Sequence, residues 1–139
     1  LVVAVSAVVV DGDGRVLLHK RRDNNLWSLL GGVMEPGESI VGAVCREVQE
    51  ESSLKVAVDR MIGVYSDPEH VIEYSDGEIR QQFSICFACH ILSGQPHAGE
   101  ESCDLRFFSQ DEIETMGLHP AQLIRLRDYW SDAVTPFVR

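Results

Sequence analysis

Residues 32–54, GVMEPGESIVGAVCREVQEESSL, place two opposed surfaces on one short helix, and any fold must satisfy both. Glu47, Glu50 and Glu51 stand at i, i+3 and i+4, so on an α-helix they share one arc. Val41, Val44, Cys45 and Val48 fall on the neighbouring arc and form the expected core-facing stripe. A helix over about 39–52 must therefore press its apolar stripe on a core while its acids stay together beside it. Like charges at this spacing oppose helix formation by about 0.2–0.5 kcal/mol per pair. A bound cation would explain such a cluster, and carboxylate oxygens facing one point suit a hard divalent ion such as Mg²⁺ or Mn²⁺. The competing reading is a solvated acidic face. Gly31-Gly32 and Pro36-Gly37 favour the first, because a constrained loop can bring Glu38 and backbone carbonyls to the same centre.

The spacing within this segment is specific. Gly32, five residues, Glu38, seven residues and then Arg46-Glu47-Val48-Gln49-Glu50-Glu51-Ser52-Ser53-Leu54 resembles the Nudix box of the MutT-like hydrolases. One fixed position departs: Ser53 stands where the family pattern has Gly. A Gly just past a helix end usually takes the left-handed conformation, which Ser adopts at a cost of about 1 kcal/mol. The lead-in Trp27-Ser28-Leu29-Leu30-Gly31-Gly32 is also similar to the family's, with Leu30 where Pro is usual. Downstream, Glu100-Glu101-Ser102 and Leu105-Arg106-Phe107-Phe108 resemble the acidic loop and aromatic strand that come late in these domains.

The resemblance implies one domain over 1–139, with its box at 32–54, folded as an α/β (α+β) layered domain: an α/β/α sandwich around a mixed central β-sheet. It implies divalent-metal-dependent hydrolysis of a pyrophosphate bond in a nucleoside diphosphate derivative. An ADP-ribose-type sugar nucleotide and a nucleoside triphosphate both satisfy the pattern. Glu47, Glu50 and Glu51 would ligate Mg²⁺ or Mn²⁺, with the Gly31 carbonyl as a further ligand. Arg46, at i, i+4 from Glu50, would orient it, and Glu38 would lie behind the metal or bridge to it. The general base would be Glu47 or a later glutamate, for which Glu101 is the candidate. Arg21, Arg22 and Trp27 are candidates for substrate contact. Trp27, Tyr65, Tyr74, Gln81 and Gln82 are candidates for selectivity, and His70 is the histidine to test. The same fold without turnover, as a nucleotide-sensing domain, is the alternative. Dimers are common among similar proteins, which leaves room for a homodimer.

Composition limits the partners. Twelve basic against 22 acidic residues in 139 give a formal charge of −10. That balance offers no basic stripe for a nucleic-acid backbone. It also repels phosphate unless metal reverses the local field. No run approaches the roughly 20 apolar residues of a membrane span. The opening LVVAVSAVVV lacks a basic region before it and a cleavage site after it, so it reads as a strand. Cys86 and Cys89 have zinc-pair spacing, but in a strand they point to opposite faces; buried thiols and a reducing, cytoplasmic setting are expected.

Along the rest of the chain, residues 2–10 read as a strand buried on both faces. Asp11-Gly12-Asp13-Gly14 reads as a turn returning Arg15–His19 as the partner strand. A calcium loop there is excluded by Arg22 at its twelfth position. Leu54–Val58 and Met61–Tyr65 read as strands, and 66–79 as a loop or hairpin. Alternation from Phe83 to Ile91 predicts a strand with one buried face. Ser109-Gln110-Asp111-Glu112 predicts a capping box. Pro120 opens a last helix whose Leu123, Leu126, Arg127 and Trp130 share a face.

Overall fold

The computed structural model describes residues 2–69, 71–73, 77 and 79–139. In chain order the elements are β1 (Val2–Val10), β2 (Val16–Arg21), β3 (Trp27–Val33), α1 (Ile40–Ser52), β4 (Lys55–Tyr65) and β5 (Val71–Glu73). They continue with β6 (Ile79–Ser93), β7 (Ser102–Phe108), α2 (Gln110–Thr115), α3 (Pro120–Trp130) and β8 (Phe137–Val138). Seven strands form one mixed sheet in the order β7-β2-β3-β1-β6-β4-β8, and β5 pairs with β6 off this path. β1–β6 and β4–β8 are parallel; the other pairings are antiparallel.

The apolar run 2–10 lies near the middle of this sheet, with β3 and β6 on its two edges. Val5, Ala7 and Val9 join Ala43, Val44 and Val48 of α1 in one core cluster. Val8 joins Ile113 of α2 and Leu126 of α3 in the other. Helices therefore cover both faces, giving the α/β/α layering. Packing on both sides also corrects the reading of residues 83–91. Ile85, Phe87 and Cys89 face α1, while Cys86 and Ala88 are buried under the opposite layer. Cys86 and Ala88 are small, and their modest size concealed their burial. The thiols of Cys86 and Cys89 are both buried and free, on opposite faces as expected.

The turn after β1 forms as expected: the Asp11 carboxylate accepts from the amides of Asp13 and Arg15 at 3.0 and 2.9 Å. Its strands do not pair as a hairpin. β2 meets β1 only at Val10↔Val16. β3 inserts between them, pairing with Ala4–Ala7 of β1 and Leu18–Lys20 of β2. Lys55–Tyr65 form one strand with register shifts, where two were expected.

Two helical faces also differ from expectation. On α1, Val41 is 45% exposed, and the buried side runs through Ala43, Val44, Val48 and Glu51. The helix is rotated so that one of its acids faces inward. On α3, Leu126 is buried, but Arg127 is exposed and pairs with Glu114 at 3.0 Å. Arg125 and Asp128 are buried in its place. Asp128 accepts from Tyr65 Oη at 2.8 Å and from two Arg139 nitrogens at 3.0 Å each. Arg125 stacks over the Tyr65 ring, 4.7 Å from its centroid. Partnered polar groups can occupy a core that apolar periodicity assigns to hydrophobic residues.

Local chemistry behaves as expected. Ser109 and Glu112 make both halves of the capping box. Ser39 caps α1, its hydroxyl accepting from the Gly42 amide at 3.0 Å. Ser53 ends α1 in the left-handed region, with φ 63°, and its amide donates to the Gln49 carbonyl at 2.9 Å. Ser53→Gly is therefore expected to stabilise the protein by about 1 kcal/mol, seen as a raised urea midpoint at unchanged slope. A lowered midpoint would mean that the Ser53 hydroxyl's 3.5 Å contact with the His97 carbonyl outweighs the backbone strain.

Candidate active site

The end of β3 and the acidic side of α1 meet at two glycines. A Cβ at Gly31 would overlap the Val5 carbonyl oxygen across the sheet, and one at Gly32 would overlap the Glu47 carboxylate. Their missing side chains let α1 settle until Glu47 rests on the strand backbone. The same approach lets the Gly31 amide donate to Glu51 Oε1 at 2.8 Å.

Arg46 stands at the centre of the acids. Its guanidinium holds Glu38 through two bonds of 2.6 and 2.9 Å, Glu47 at 2.8 Å, Glu50 at 3.3 Å and the Val33 carbonyl at 3.1 Å. A planar fork of five donors suits this task better than a lysine point charge. Glu38 also accepts from the Glu35 amide at 2.9 Å, fixing the 35–38 turn to the helix. Arg46, then the Glu35 amide, hold the Glu38 carboxyl down at about 2. Arg46 thus meets Glu50 at the i, i+4 spacing, and Glu38 makes two of its shorter bonds.

Burial works in the opposite sense on the inner acids. It pushes the Glu47 carboxyl up against the pull of Arg46, with Glu50 and Glu101 adding to the rise. It pushes Glu51 up to about 8 despite the Gly31 amide, with Glu47 and Glu101 again adding. Glu101 reaches this neighbourhood because its loop is stitched down. The amides of His97 and Gly99 donate to the Ser52 and Glu51 carbonyls at 2.8 and 3.1 Å. Arg22 ties the other side: its amide reaches the Glu101 carbonyl at 2.9 Å, and its guanidinium reaches the Glu100 and Ser102 carbonyls at 2.9 and 3.1 Å.

The expected substrate contacts divide accordingly. Arg22 is committed to the loop, whereas Arg21 pairs with Asp23 at 2.8 Å and lies close enough to Glu51 and Glu101 to feel their charge. Trp27 packs edge-on against Phe108, centroids 4.9 Å apart, with Arg106 over its ring at 5.9 Å. Tyr65 and Gln82 line a cavity of about 520 Å³ together with His119, Ile124 and Arg125. That cavity belongs to the α3 side of the sheet, away from the acids on α1. Gln81 donates to the Ser66 carbonyl at 3.0 Å. His70 and Tyr74 lie outside the described residues.

His19 was not among the expected site residues. It is 2% exposed, with Nε2 3.5 Å from Glu51 Oε2 and Nδ1 2.7 Å from Ser102 Oγ. Burial, then the Arg21 charge, pulls its imidazole down to about 4, so the ring is neutral near pH 7. Its only mark in the sequence is its place in a buried strand, since its partners are far along the chain.

Among the described residues, no three His, Cys, Asp or Glu side chains share one point at metal-ligand spacing. Glu38, Glu47 and Glu50 gather around Arg46, and Glu51 faces Gly31 and His19. The donor chemistry nonetheless fits a hard divalent cation. Glu47, Glu50, Glu51 and Glu101 offer only oxygen, and burial penalises the ionised inner pair until positive charge arrives. No helix among the described residues is long and apolar enough to cross a membrane.

Comparison with known proteins identifies the family. The family model of the NUDIX domain matches residues 1–127. A MutT-like protein of Streptomyces ambofaciens is 34% identical over 99% of this chain and 81% of its own length. An ADP-ribose pyrophosphatase of Methanocaldococcus jannaschii is 31% identical over 91% of this chain and 75% of its own. The solved structure of a NUDIX hydrolase from Nitrosomonas europaea superposes with a TM-score of 0.79 at 25% identity, covering 99% of this chain and 76% of that one. Nudix hydrolases generally need divalent metal ions. A match of this extent, over a sheet that brings paired glycines against an acidic helix, shows that the chain belongs to the Nudix family, hydrolases of pyrophosphate bonds in nucleotide derivatives.

Proposed function

We propose that residues 1–139 form one Nudix domain that hydrolyses the pyrophosphate of a nucleoside diphosphate derivative with Mg²⁺ or Mn²⁺. Glu47, Glu50 and Glu51 would hold the cation, with the Gly31 carbonyl beside them. When bound, the cation neutralises pyrophosphate oxygens and makes bound water more acidic. The observation that carries this reading is the buried Glu51, whose ionisation is opposed by burial and by two neighbouring glutamates unless a cation compensates.

Arg46 keeps Glu38, Glu47 and Glu50 in one orientation. Water attacks one phosphorus, the bridging P–O bond breaks, and the water proton passes to a carboxylate. Glu47 gives one oxygen to Arg46 at 2.8 Å and keeps the other, so Glu47 and Glu101, carried on the stitched loop, are the two candidates for that base. Arg21, close enough to Glu51 and Glu101 to feel their charge, would be the cation to meet substrate phosphate.

An ADP-ribose-type sugar nucleotide and a nucleoside triphosphate remain the two substrate classes to compare. An acidic chain of net charge −10 suits a small nucleotide better than a nucleic acid or an anionic membrane surface. A cytoplasmic setting accords with four free thiols, and a homodimer is the assembly to test. The deciding experiment incubates purified protein with both substrate classes, with Mg²⁺, Mn²⁺ or EDTA, in ¹⁸O-labelled water. Mass spectrometry then reads which phosphorus gains the label. Metal-dependent cleavage supports the reading. Nucleotide binding without turnover under every condition would replace it with the sensing alternative.

A further inference from the structure

Glu51 is the most enclosed carboxylate of the candidate site, 7% exposed, and both its oxygens face a partner. Oε1 accepts from the Gly31 amide, and Oε2 looks at His19 Nε2. Behind the ring, Ser102 Oγ lies 2.7 Å from Nδ1. Ser102 is itself 2% exposed and opens β7, directly after Glu101. From these contacts we propose that His19, braced by Ser102, is the positioning residue that holds Glu51 for cation binding. The proposal rests on the metal-dependent reading above.

The chemistry of the three groups gives the chain its direction. An ionised Glu51 only accepts hydrogen bonds, so a bond across this 3.5 Å contact requires the ring proton on the nitrogen facing it. Nδ1 is then an acceptor, and Ser102 supplies the hydroxyl hydrogen. A neutral ring in this tautomer steadies the carboxylate without bringing a charge that would compete with a metal ion. The brace also has a geometric consequence. His19 lies on β2, Glu51 on α1 and Ser102 on β7, so one imidazole registers the helix acids against the loop that carries Glu101. Carboxylates that bind metal are commonly held by such outer partners, whose loss costs about 10–100-fold in metal affinity or activity.

The test combines two readouts. Mn²⁺ affinity of substrate-free protein is measured by electron paramagnetic resonance for wild type, His19→Leu and His19→Gln. Leucine fills the space without a donor; glutamine returns an N–H near the position of Nε2. We expect His19→Leu to bind Mn²⁺ about 10–100-fold more weakly, and His19→Gln to recover most of that loss. Thermal unfolding in EDTA checks that each variant is folded. Unchanged Mn²⁺ affinity in His19→Leu, or an equal loss in His19→Gln, would overturn the proposal. Separately, ¹⁵N shifts of the His19 ring in metal-free wild type at pH 9 should report the Nε2–H tautomer. An Nδ1–H tautomer would also overturn it. Wild type that binds no Mn²⁺ but shows the expected tautomer would instead defeat the metal-dependent reading and leave His19 holding Glu51 for structure alone.

Discussion

A Glu50→Gln protein is expected to lose about three orders of magnitude in kcat while keeping the urea midpoint of its parent. The Glu50 side chain is 59% exposed and makes one 3.3 Å contact with Arg46. Surface changes of this kind stay within about 0.5 kcal/mol in stability. Arg46 keeps its shorter bonds to Glu38 and Glu47, so the neighbouring acids have no reason to move. The amide preserves shape and removes the charge. If that charge helps hold a cation on the reacting phosphates, its loss withdraws several kcal/mol from the transition state, and each 1.36 kcal/mol is tenfold in rate. Steady-state kinetics at saturating Mg²⁺ beside urea unfolding make the comparison. Activity within tenfold of the parent would return Glu50 to the solvated acidic face that its exposure also permits.

The second large effect concerns stability against pH in EDTA. Glu51 titrates near 8 in the folded protein against 4.5 for the free side chain, so folding favours its protonated form. That contribution is complete below about pH 4.5 and is lost as pH rises to 8. His19 is shifted the other way, from 6.5 to about 4, so its contribution is complete above 6.5 and lost as pH falls to 4. The two oppose each other between 4.5 and 6.5. From 6.5 to 8 Glu51 acts without that opposition, and stability should fall by up to about 2 kcal/mol. A divalent ion that binds the ionised acids should reverse the trend, restoring about 2.7 kcal/mol at a hundredfold excess over its dissociation constant. Urea midpoints at pH 6.5 and 8.0, in EDTA and in Mg²⁺, measure both effects. A flat profile in EDTA that Glu51→Gln leaves unchanged would show that the buried carboxyl does not control stability here.

Much of the site was legible in the sequence because its geometry is local. Arg46 meets Glu50 one turn along the helix, and the i, i+4 spacing predicts that contact, though not the bond to the adjacent Glu47. The Asp11 turn, the Ser109 capping box and the left-handed Ser53 are likewise decided by a few adjacent residues. Contacts made across the fold left no such trace. Asp128 is buried because Tyr65, 63 residues away, and Arg139 both reach it. His19 and Ser102 are 83 residues apart and meet only because β2 pairs with β7. β3 separates β2 from β1, although the intervening turn reads as a hairpin, because turn residues fix a reversal of direction and not the neighbour. Glu51 was identified as an acid of the cluster, but its inward rotation follows from the glycines of β3, not from its own helix.

The fastening of residues 97–102 to the end of α1 has a consequence for how this sheet can tolerate insertions between β6 and β7. Gly99 lies flat on the helix terminus, where a side chain would strike the Glu50 carbonyl, and two residues earlier the His97 amide is tied to the Ser52 carbonyl. Extra residues placed ahead of His97 would swell outward and leave the glutamates in register. The same residues added after Gly99 would lever Glu101 away from its companions, so natural length variation in this connection belongs on the near side of that seam.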